Sequence, residues 1–540
     1  MLAAGWKKAT KIIAHKVIDC RIAHRHLVLI ALFAFALRGA PNGLAETPAH
    51  ELVTNPAFAE SLQSWQVSGD FHTFADNLHT DVRHLRMGPG AGTLAQRIQV
   101  GSRNHLLLTA VFDRALPSSC SLALRFLDRS GKEWMRLESG TDIQQGKDGK
   151  MGLYFRPHPR TEQLELLLTK TADGQELVLD RLSLMAYEDS GASVAASEFG
   201  SEQDSDLMQL LWQGSRVTQE AVALLAGPGE AAAGTLLLRP TRVVSVTSYD
   251  GRTTYLEGID FKVVGRTLVA LAGSRMQTIE TAKLHQGELA WNEVGGRQVL
   301  VTYEHQDRWI GPVPPFVGSE LPNTLRKLAA HEPVEMVAFG DSITFGVGSS
   351  QMQKLLPGRP PWVELFRKQL SLVSGDAQIT VENAAQSGAD SNWARKMAGR
   401  MVGTLHPDLV IVAFGQNDFW NLSPEEFAAN IKALMEAVRA TTPHVEFLLV
   451  STMRFDPAYT SRTQYWDRET QYAERLRALT ADGVQMVDMT AISSALYAAK
   501  EPKALLNDPL HPNDYLSRWY AQSLVAALHC AAAQEPPAAQ

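Results

Sequence analysis

The sequence predicts a multidomain protein in which two β-rich blocks precede an α/β domain built on a parallel sheet. Three observations predict this. At 540 residues the chain exceeds what one hydrophobic core supports. Its first half carries short β-type runs separated by turn residues, without a sustained helical period. From about residue 321, strand-like apolar runs alternate with helical patterns, as in a parallel sheet covered by helices.

The N-terminus stands apart from the rest. Lys7, Lys8, Lys11, Lys16, Arg21 and Arg25 precede the apolar run Leu27 to Leu37, "LVLIALFAFAL", which Arg38 closes. "GLA", Gly43 to Ala45, offers a small-x-small cleavage pattern. That run falls short of the ~20 residues needed to cross a bilayer core of about 30 Å. Residues 1–45 therefore read as a signal peptide and the mature chain as secreted or periplasmic. A short membrane anchor or a buried helix is the alternative. No later segment is apolar for long enough to form a transmembrane span. Removing the leader takes the net charge from −7 to about −13. Such a surface repels phosphate backbones and argues against nucleic acid as a partner. Cys20 lies in the leader, while Cys120 and Cys530 are too far apart in sequence to suggest a disulfide framework or a metal site.

Residues 46–188 contain the β-type runs "HLLLTAVFD", "CSLALRFLD", "QLELLLTK" and "LVLDRLSLMAY". Short strands at this spacing predict an antiparallel β-sandwich. "ELVTNPAFAESLQSWQVSGD", "GTLAQRIQV" and "VLDRLSLMAY" resemble carbohydrate-binding modules of the galactose-binding-like, jelly-roll type. The resemblance implies a jelly-roll-like sandwich, a fold that hosts many binders. Trp65 can serve there as a sugar platform or pack in the core. His72, His79 and His84 cluster nearby without a familiar metal spacing, so no metal is expected.

The small, polar residues 189–206 read as a linker. Residues 207–320 are again strand-rich, with Asp250-Gly251 as a hairpin signal and "ELAWNEVGGRQVLVTYEH" as a second hairpin. This stretch predicts a β-rich accessory domain with no chemistry visible in it. Residues 321–533 form the α/β domain, and 534–540 a disordered tail. Candidate strands are Val334–Phe339, Ile379–Val381, Leu409–Phe414, Phe447–Val450 and Val484–Val487. The clearest helix starts at Ser423, with Pro424 at its first position and Glu426 completing a capping box. Phe427, Ile431, Leu434 and Val438 then line one face.

In parallel sheets ligands bind beyond the carboxyl ends of the strands. "VAFGDSITFGVGSS" places Ser342 just past such an end. "ENAAQSGADSNW" with Gly388 follows the second strand and "AFGQNDFW" with Asn417 follows the third. "NDPLHPNDY" carries Asp508 and His511 in a late loop. Taken singly, these segments read as ordinary turns. Taken together, "GDSI", the following glycine, "GQND" and "DPLH" resemble the SGNH (or GDSL) hydrolase superfamily over about 200 residues, with Ser342, Gly388, Asn417 and His511 all present. The resemblance implies a flavodoxin-like, three-layer fold and ester hydrolysis without a cofactor.

The residue types fit that chemistry. A serine hydroxyl is a poor nucleophile until an adjacent base takes its proton. An imidazole with its usual pKa of ~6.5 can accept that proton near neutrality and return it later. Asp508 can hold the other ring N–H and so fix the tautomer of His511. The resemblance maps an oxyanion hole onto the backbone N–H groups of Ser342 and Gly388 and the side chain of Asn417. Trp393, Phe419 and Trp420 are candidate walls of a substrate pocket, although core aromatics would look the same in sequence. Arg454 is a weaker candidate of the same kind.

The leader, the constellation and the sugar-module resemblance point to a secreted serine esterase acting through an acyl-enzyme. Its expected substrate is an acetylated polysaccharide or oligosaccharide. A β-sandwich ahead of an SGNH domain also resembles bacterial acetylxylan esterases with an N-terminal jelly roll. The rivals are a lipase, arylesterase or thioesterase of the same superfamily, an acyltransferase, and a non-catalytic glycan-binding protein.

Overall fold

Strand runs 105–112, 120–127, 163–170 and 177–187 form where the apolar alternation places them. A computed structural model describes residues 49–529 except for short internal stretches, of which 76–82, 188–206, 287–293 and 460–466 are the longest. The expected leader, linker and tail, with Cys20 and Cys530, lie outside the described residues. Among the described residues no helix is long and apolar enough to cross a membrane. The chain divides into two compact units, residues 1–190 and 191–540.

The first unit is β-rich, and its described strand pairs are antiparallel. The long strand Arg83–Gln99 organises it, pairing through Gly92–Gln99 with Gln163–Lys170 and through Leu85–Met87 with Leu177–Leu179. Leu85, Leu94, Leu122, Leu124, Leu166 and Leu168 are fully buried, which is the interior face that the alternation requires. Trp65 packs against Phe58, and its indole N–H donates to the Asn55 carbonyl at 3.3 Å. At 8% exposure it is a core residue and presents no open face to a sugar. Cys120 is buried and forms no disulfide among the described residues.

The second unit combines the β-rich residues after 207 with the α/β residues. A four-stranded sheet runs Arg216–Val222, Val299–His305, Pro240–Ser248, Thr254–Tyr255, the last two joined through the Asp250-Gly251 turn. A five-stranded sheet pairs Phe261–Val264, Thr267–Ala270, Ala233–Thr235, Leu225–Ala226 and Ile279–Glu280. Where a second hairpin was expected, the described part is a 3₁₀ turn, Gly295–Arg297, leading into Val299–His305. Its first expected strand falls largely on residues outside the description.

The α/β part opens with α1 (Pro322–Ala329) and β1 (Val334–Gly340). Next come α2 (Ser342–Phe345), α3 (Trp362–Val373), β2 (Ile379–Asn383), α4 (Ser391–Met401) and β3 (Leu409–Ala413). Then follow α5 (Pro424–Arg439), β4 (Glu446–Val450), α6 (Arg468–Arg477), β5 (Val484–Val487), α7 (Met489–Ala499) and α8 (Asp514–Leu528). The sheet order is β2-β1-β3-β4-β5, with every pair parallel. Alternate residues of the strands bury to opposite sides. Met336, Ala338, Ile411 and Leu448 share a core with Trp362, Phe366, Leu516 and Trp519, from α3 and α8. Phe339, one residue on, faces Trp393 of α4 at 5.7 Å. The Ser423 capping box closes both ways, with Glu426 N–H on the Ser423 hydroxyl at 3.2 Å and Ser423 N–H on Glu426 at 2.8 Å.

The boundary drawn near residue 320 from composition falls inside this unit. Leu236, Val301 and Tyr303 of the β-rich part belong to the same core as Trp519 and Leu524 of α8. Lys500 forms a fully buried ion pair with Glu220, whose other carboxylate oxygen accepts from the Tyr303 hydroxyl at 2.7 Å. A buried pair of this kind is costly to break, because the remaining charge has no water to turn to.

Candidate active site

β1 ends at Gly340, and Asp341 caps the short α2 by accepting the Ile343 N–H at 3.0 Å. This turn holds Ser342 just past the carboxyl end of β1, the second strand in the sheet order. A two-stranded hairpin, Leu506–Asp508 with His511–Pro512, brings in the other two groups. His511 Nε2 lies 2.9 Å from Ser342 Oγ. Its Nδ1 lies 2.7 Å and 2.9 Å from the two Asp508 carboxylate oxygens. One of those oxygens also accepts the backbone N–H groups of Leu510 and His511, at 2.8 Å and 3.1 Å. Three residues from two distant segments thus form one continuous hydrogen-bonded line. Burial pushes the Asp508 carboxyl upward, but the charge of His511 and these hydrogen bonds outweigh it and hold the group below the usual carboxylate range.

Gly388 adopts φ +79°, the left-handed conformation in which glycine carries no steric cost. Neither the Gly388 nor the Ser342 N–H donates to an acceptor among the described residues, so both remain available to a developing negative charge. Asn417 donates one side-chain N–H to the Ala389 carbonyl at 2.9 Å, which orients the amide and leaves its second hydrogen uncommitted. Gly348, at φ +103°, lets the loop after α2 lie against the His511 hairpin, where a side chain would collide with the Pro512 carbonyl.

The aromatic candidates separate. Trp393 and Trp420 are half-buried. Phe419 is 1% exposed and stacked on Phe455 at 5.9 Å, so it is a core residue and not a pocket wall. Its neighbours in sequence concealed this, since Asp418 and Phe419 both turn inward while Asn417 and Trp420 on either side are half-buried. Arg454 is likewise buried, donating to Thr470 at 2.9 Å, and does not reach out to a ligand.

Two supporting residues escaped the sequence reading. The second carboxylate oxygen of Asp341 accepts the Gln416 N–H at 3.3 Å, tying the serine turn to the asparagine loop. The Gln416 side chain continues the link, donating to the Leu510 carbonyl at 3.3 Å and accepting from Thr452 at 2.8 Å. Position 341 signals its cap in the sequence, but the partner 75 residues away leaves no local trace.

Buried acids set the electrostatics. Desolvation raises Asp341 to about 6 and Asp418 to about 7, from an ordinary value of 3.8. Asp418 accepts the Ser391 N–H at 2.8 Å through one oxygen, and its other oxygen is buried without a partner among the described residues. Between pH 4 and 7 the folded protein holds the Asp418 proton more tightly than the unfolded chain, so stability falls as pH rises through that window and levels off above it. Asp418→Asn keeps the acceptor for Ser391 and removes the titration. Its melting temperature should therefore drop less than that of the wild type between pH 5 and pH 8, by several degrees. Parallel thermal-denaturation profiles for the two proteins would refute this account.

A serine, histidine and aspartate line beyond the strand ends of a parallel α/β sheet is an arrangement suited to nucleophilic hydrolysis. Residues 338–518 match the GDSL-like lipase/acylhydrolase family, and this part of the chain is a domain of that family. No curated protein matches the chain. Solved structures do. An acetyl-xylooligosaccharide esterase from Geobacillus stearothermophilus aligns with 36% of this chain and 94% of its own, at 18% identity and a TM-score of 0.31. An acetyl xylan esterase aligns with 36% of this chain and 100% of its own, at 20% identity and a TM-score of 0.31. The tailspike protein 4 enzymatic domain of bacteriophage CBA120 aligns at 14% identity and a TM-score of 0.22, the match spanning 25% of this chain and 21% of the tailspike chain.

Proposed function

We propose that the protein is a secreted serine esterase that removes O-acetyl groups from a polysaccharide through an acyl-enzyme. The observation that carries the catalytic part is the approach of His511 Nε2 to Ser342 Oγ, with Asp508 on the opposite ring nitrogen. Ser342 Oγ attacks the ester carbonyl while His511 takes its proton. The tetrahedral oxyanion is met by the Ser342 and Gly388 N–H groups and the free Asn417 amide hydrogen. On collapse the ester C–O bond breaks, and His511 returns the proton to the departing alcohol oxygen. Water, deprotonated by His511, then attacks the acyl-serine and releases the carboxylic acid and free Ser342.

The strand order β2-β1-β3-β4-β5, with strands buried on both sides, supports a flavodoxin-like three-layer arrangement. The connected antiparallel strands of the first unit support the jelly-roll-like sandwich expected there. The carbohydrate part of the proposal rests on that module, on the leader, and on the two half-buried tryptophans that follow the Gly388 and Asn417 segments in sequence. The family's own name leaves lipase-type acyl groups as the second reading.

Acetate release from acetylated xylan, mannan and pectin, run beside activated esters of increasing acyl length, tests it. The deacetylase reading expects acetate from at least one glycan and a sharp preference for two carbons. Preference for long acyl chains with every glycan untouched would install the lipase reading. Failure of a fluorophosphonate to label Ser342 would leave only a binding role.

A further inference from the structure

We infer that Gln298 is a positioning residue for the His511–Asp508 hairpin, so that the β-rich segment before residue 320 is part of the catalytic unit; the inference rests on the esterase reading above. Gln298 lies outside residues 338–518, the span that matches the hydrolase family. It follows the 3₁₀ turn Gly295–Arg297 and is 1% exposed. Its amide nitrogen donates to the Lys503 carbonyl at 2.6 Å and the Leu506 carbonyl at 2.9 Å. Its amide oxygen accepts from Asn513 Nδ2 at 2.8 Å. Two donors and one acceptor are thus committed to the two feet of one hairpin, whose tip carries Asp508 and His511.

The hairpin needs that clamp. Its strands are three and two residues long, and a two-stranded ribbon is at best marginal in water even at greater length. Asn513 passes the constraint on: its side chain also donates to the Ala504 carbonyl at 2.9 Å, and its oxygen caps α8 through the Leu516 N–H at 3.0 Å. The 3₁₀ turn itself presses on the hairpin, since a side chain at Gly295 would collide with Asn507. A second tie reaches the serine side. The Tyr249 hydroxyl donates to Asp514 at 2.9 Å, and the other oxygen of that carboxylate accepts the Ser350 N–H at 2.8 Å. The β-rich segment therefore touches both loops whose separation sets the distance from His511 to Ser342. An error of about 1 Å in that distance can cost ~10²-fold in rate.

Gln522 supplies a matched control. It is 1% exposed and makes the same three kinds of bond across the same boundary, donating to the Leu207 and Gln209 carbonyls and accepting the Leu211 N–H. It does so two turns further along α8, away from the hairpin. In the full mature chain, Gln298→Met should lower kcat toward a small activated ester by ~10–100-fold with KM within about two-fold of the wild type. Amide hydrogen exchange over residues 503–513 should accelerate in the same variant. Gln522→Met should lose a similar amount of thermal stability and keep kcat. Gln298→Glu, which retains the acceptor for Asn513, provides the same reading if the methionine variant does not fold. Equal loss of kcat in the 298 and 522 variants, or unchanged exchange over 503–513, would overturn the inference. A wild-type chain that cleaves no ester and leaves Ser342 unlabelled would sink the esterase reading itself, whatever the exchange shows, and Gln298 would then have no reaction to position.

Discussion

Ser342→Ala will lower kcat toward an activated ester by on the order of 10⁴–10⁶-fold while leaving the fold intact. The substitution removes one oxygen, and with it the single bond to His511 Nε2 at 2.9 Å. That oxygen is the atom that would become covalently acylated, so no neighbour can substitute for it by a small shift. The structural cost is modest. Ser342 is 5% exposed and sits in the first turn of a four-residue helix whose cap, Asp341, remains in place. What survives is the rate due to binding and to the three proposed oxyanion donors acting on water. Adding His511→Ala to Ser342→Ala should therefore cost little more, because a base without its nucleophile has no proton to take. Retention of more than about one per cent of the wild-type rate would mean that another nucleophile, or a water activated by His511, carries the reaction.

The elements that proved legible in sequence are those whose signals are local. The strand Val334–Gly340 and the helix from Pro424 form where apolar periodicity and the Ser423–Glu426 pair place them, because each depends on neighbours a few residues away. The motif segments were legible for a different reason. Ser342, Gly388 and Asn417 follow β1, β2 and β3, whose carboxyl ends a parallel sheet gathers on one side, and a short motif carries Asp508 and His511 on one hairpin. Gln298 carried no such signal. It is an ordinary glutamine between a turn and a strand, and its partners lie more than 200 residues away. The same holds for Glu220, whose partner Lys500 is 280 residues distant, so the shared core of the second unit could not be read from composition shifts. Phe419 misled because an aromatic beside a reactive loop carries the same letters whether it turns outward or inward.

Asp508→Asn should reduce kcat by about 10⁴-fold with little change in KM, and the reason is a tautomer. One Asp508 oxygen is fixed by the Leu510 and His511 backbone N–H groups, at 2.8 Å and 3.1 Å. An asparagine must place its carbonyl oxygen there, because its NH₂ would face two donors. The NH₂ then occupies the other position, 2.7 Å from His511 Nδ1 in the wild type. A donor at that point lies nearer Nδ1 than the carbonyl oxygen at 2.9 Å, so it favours Nδ1 as an acceptor and the ring proton on Nε2, where it points at Ser342 Oγ. The imidazole can then no longer accept the serine proton, although every heavy atom stays in place. The ¹⁵N chemical shifts of His511 would reveal the exchanged tautomer directly. Stability should respond to pH with a definite sign. Because the Asp508 carboxyl lies below the usual carboxylate range in the folded protein, its stabilising contribution is complete above about pH 4 and is lost as pH falls through its depressed pKa. Wild type and variant should therefore differ in melting temperature at pH 6 and converge under strongly acid conditions. A variant that keeps more than a tenth of the wild-type kcat at neutral pH would show that Asp508 does no more than hold the hairpin, and that His511 finds its tautomer without it.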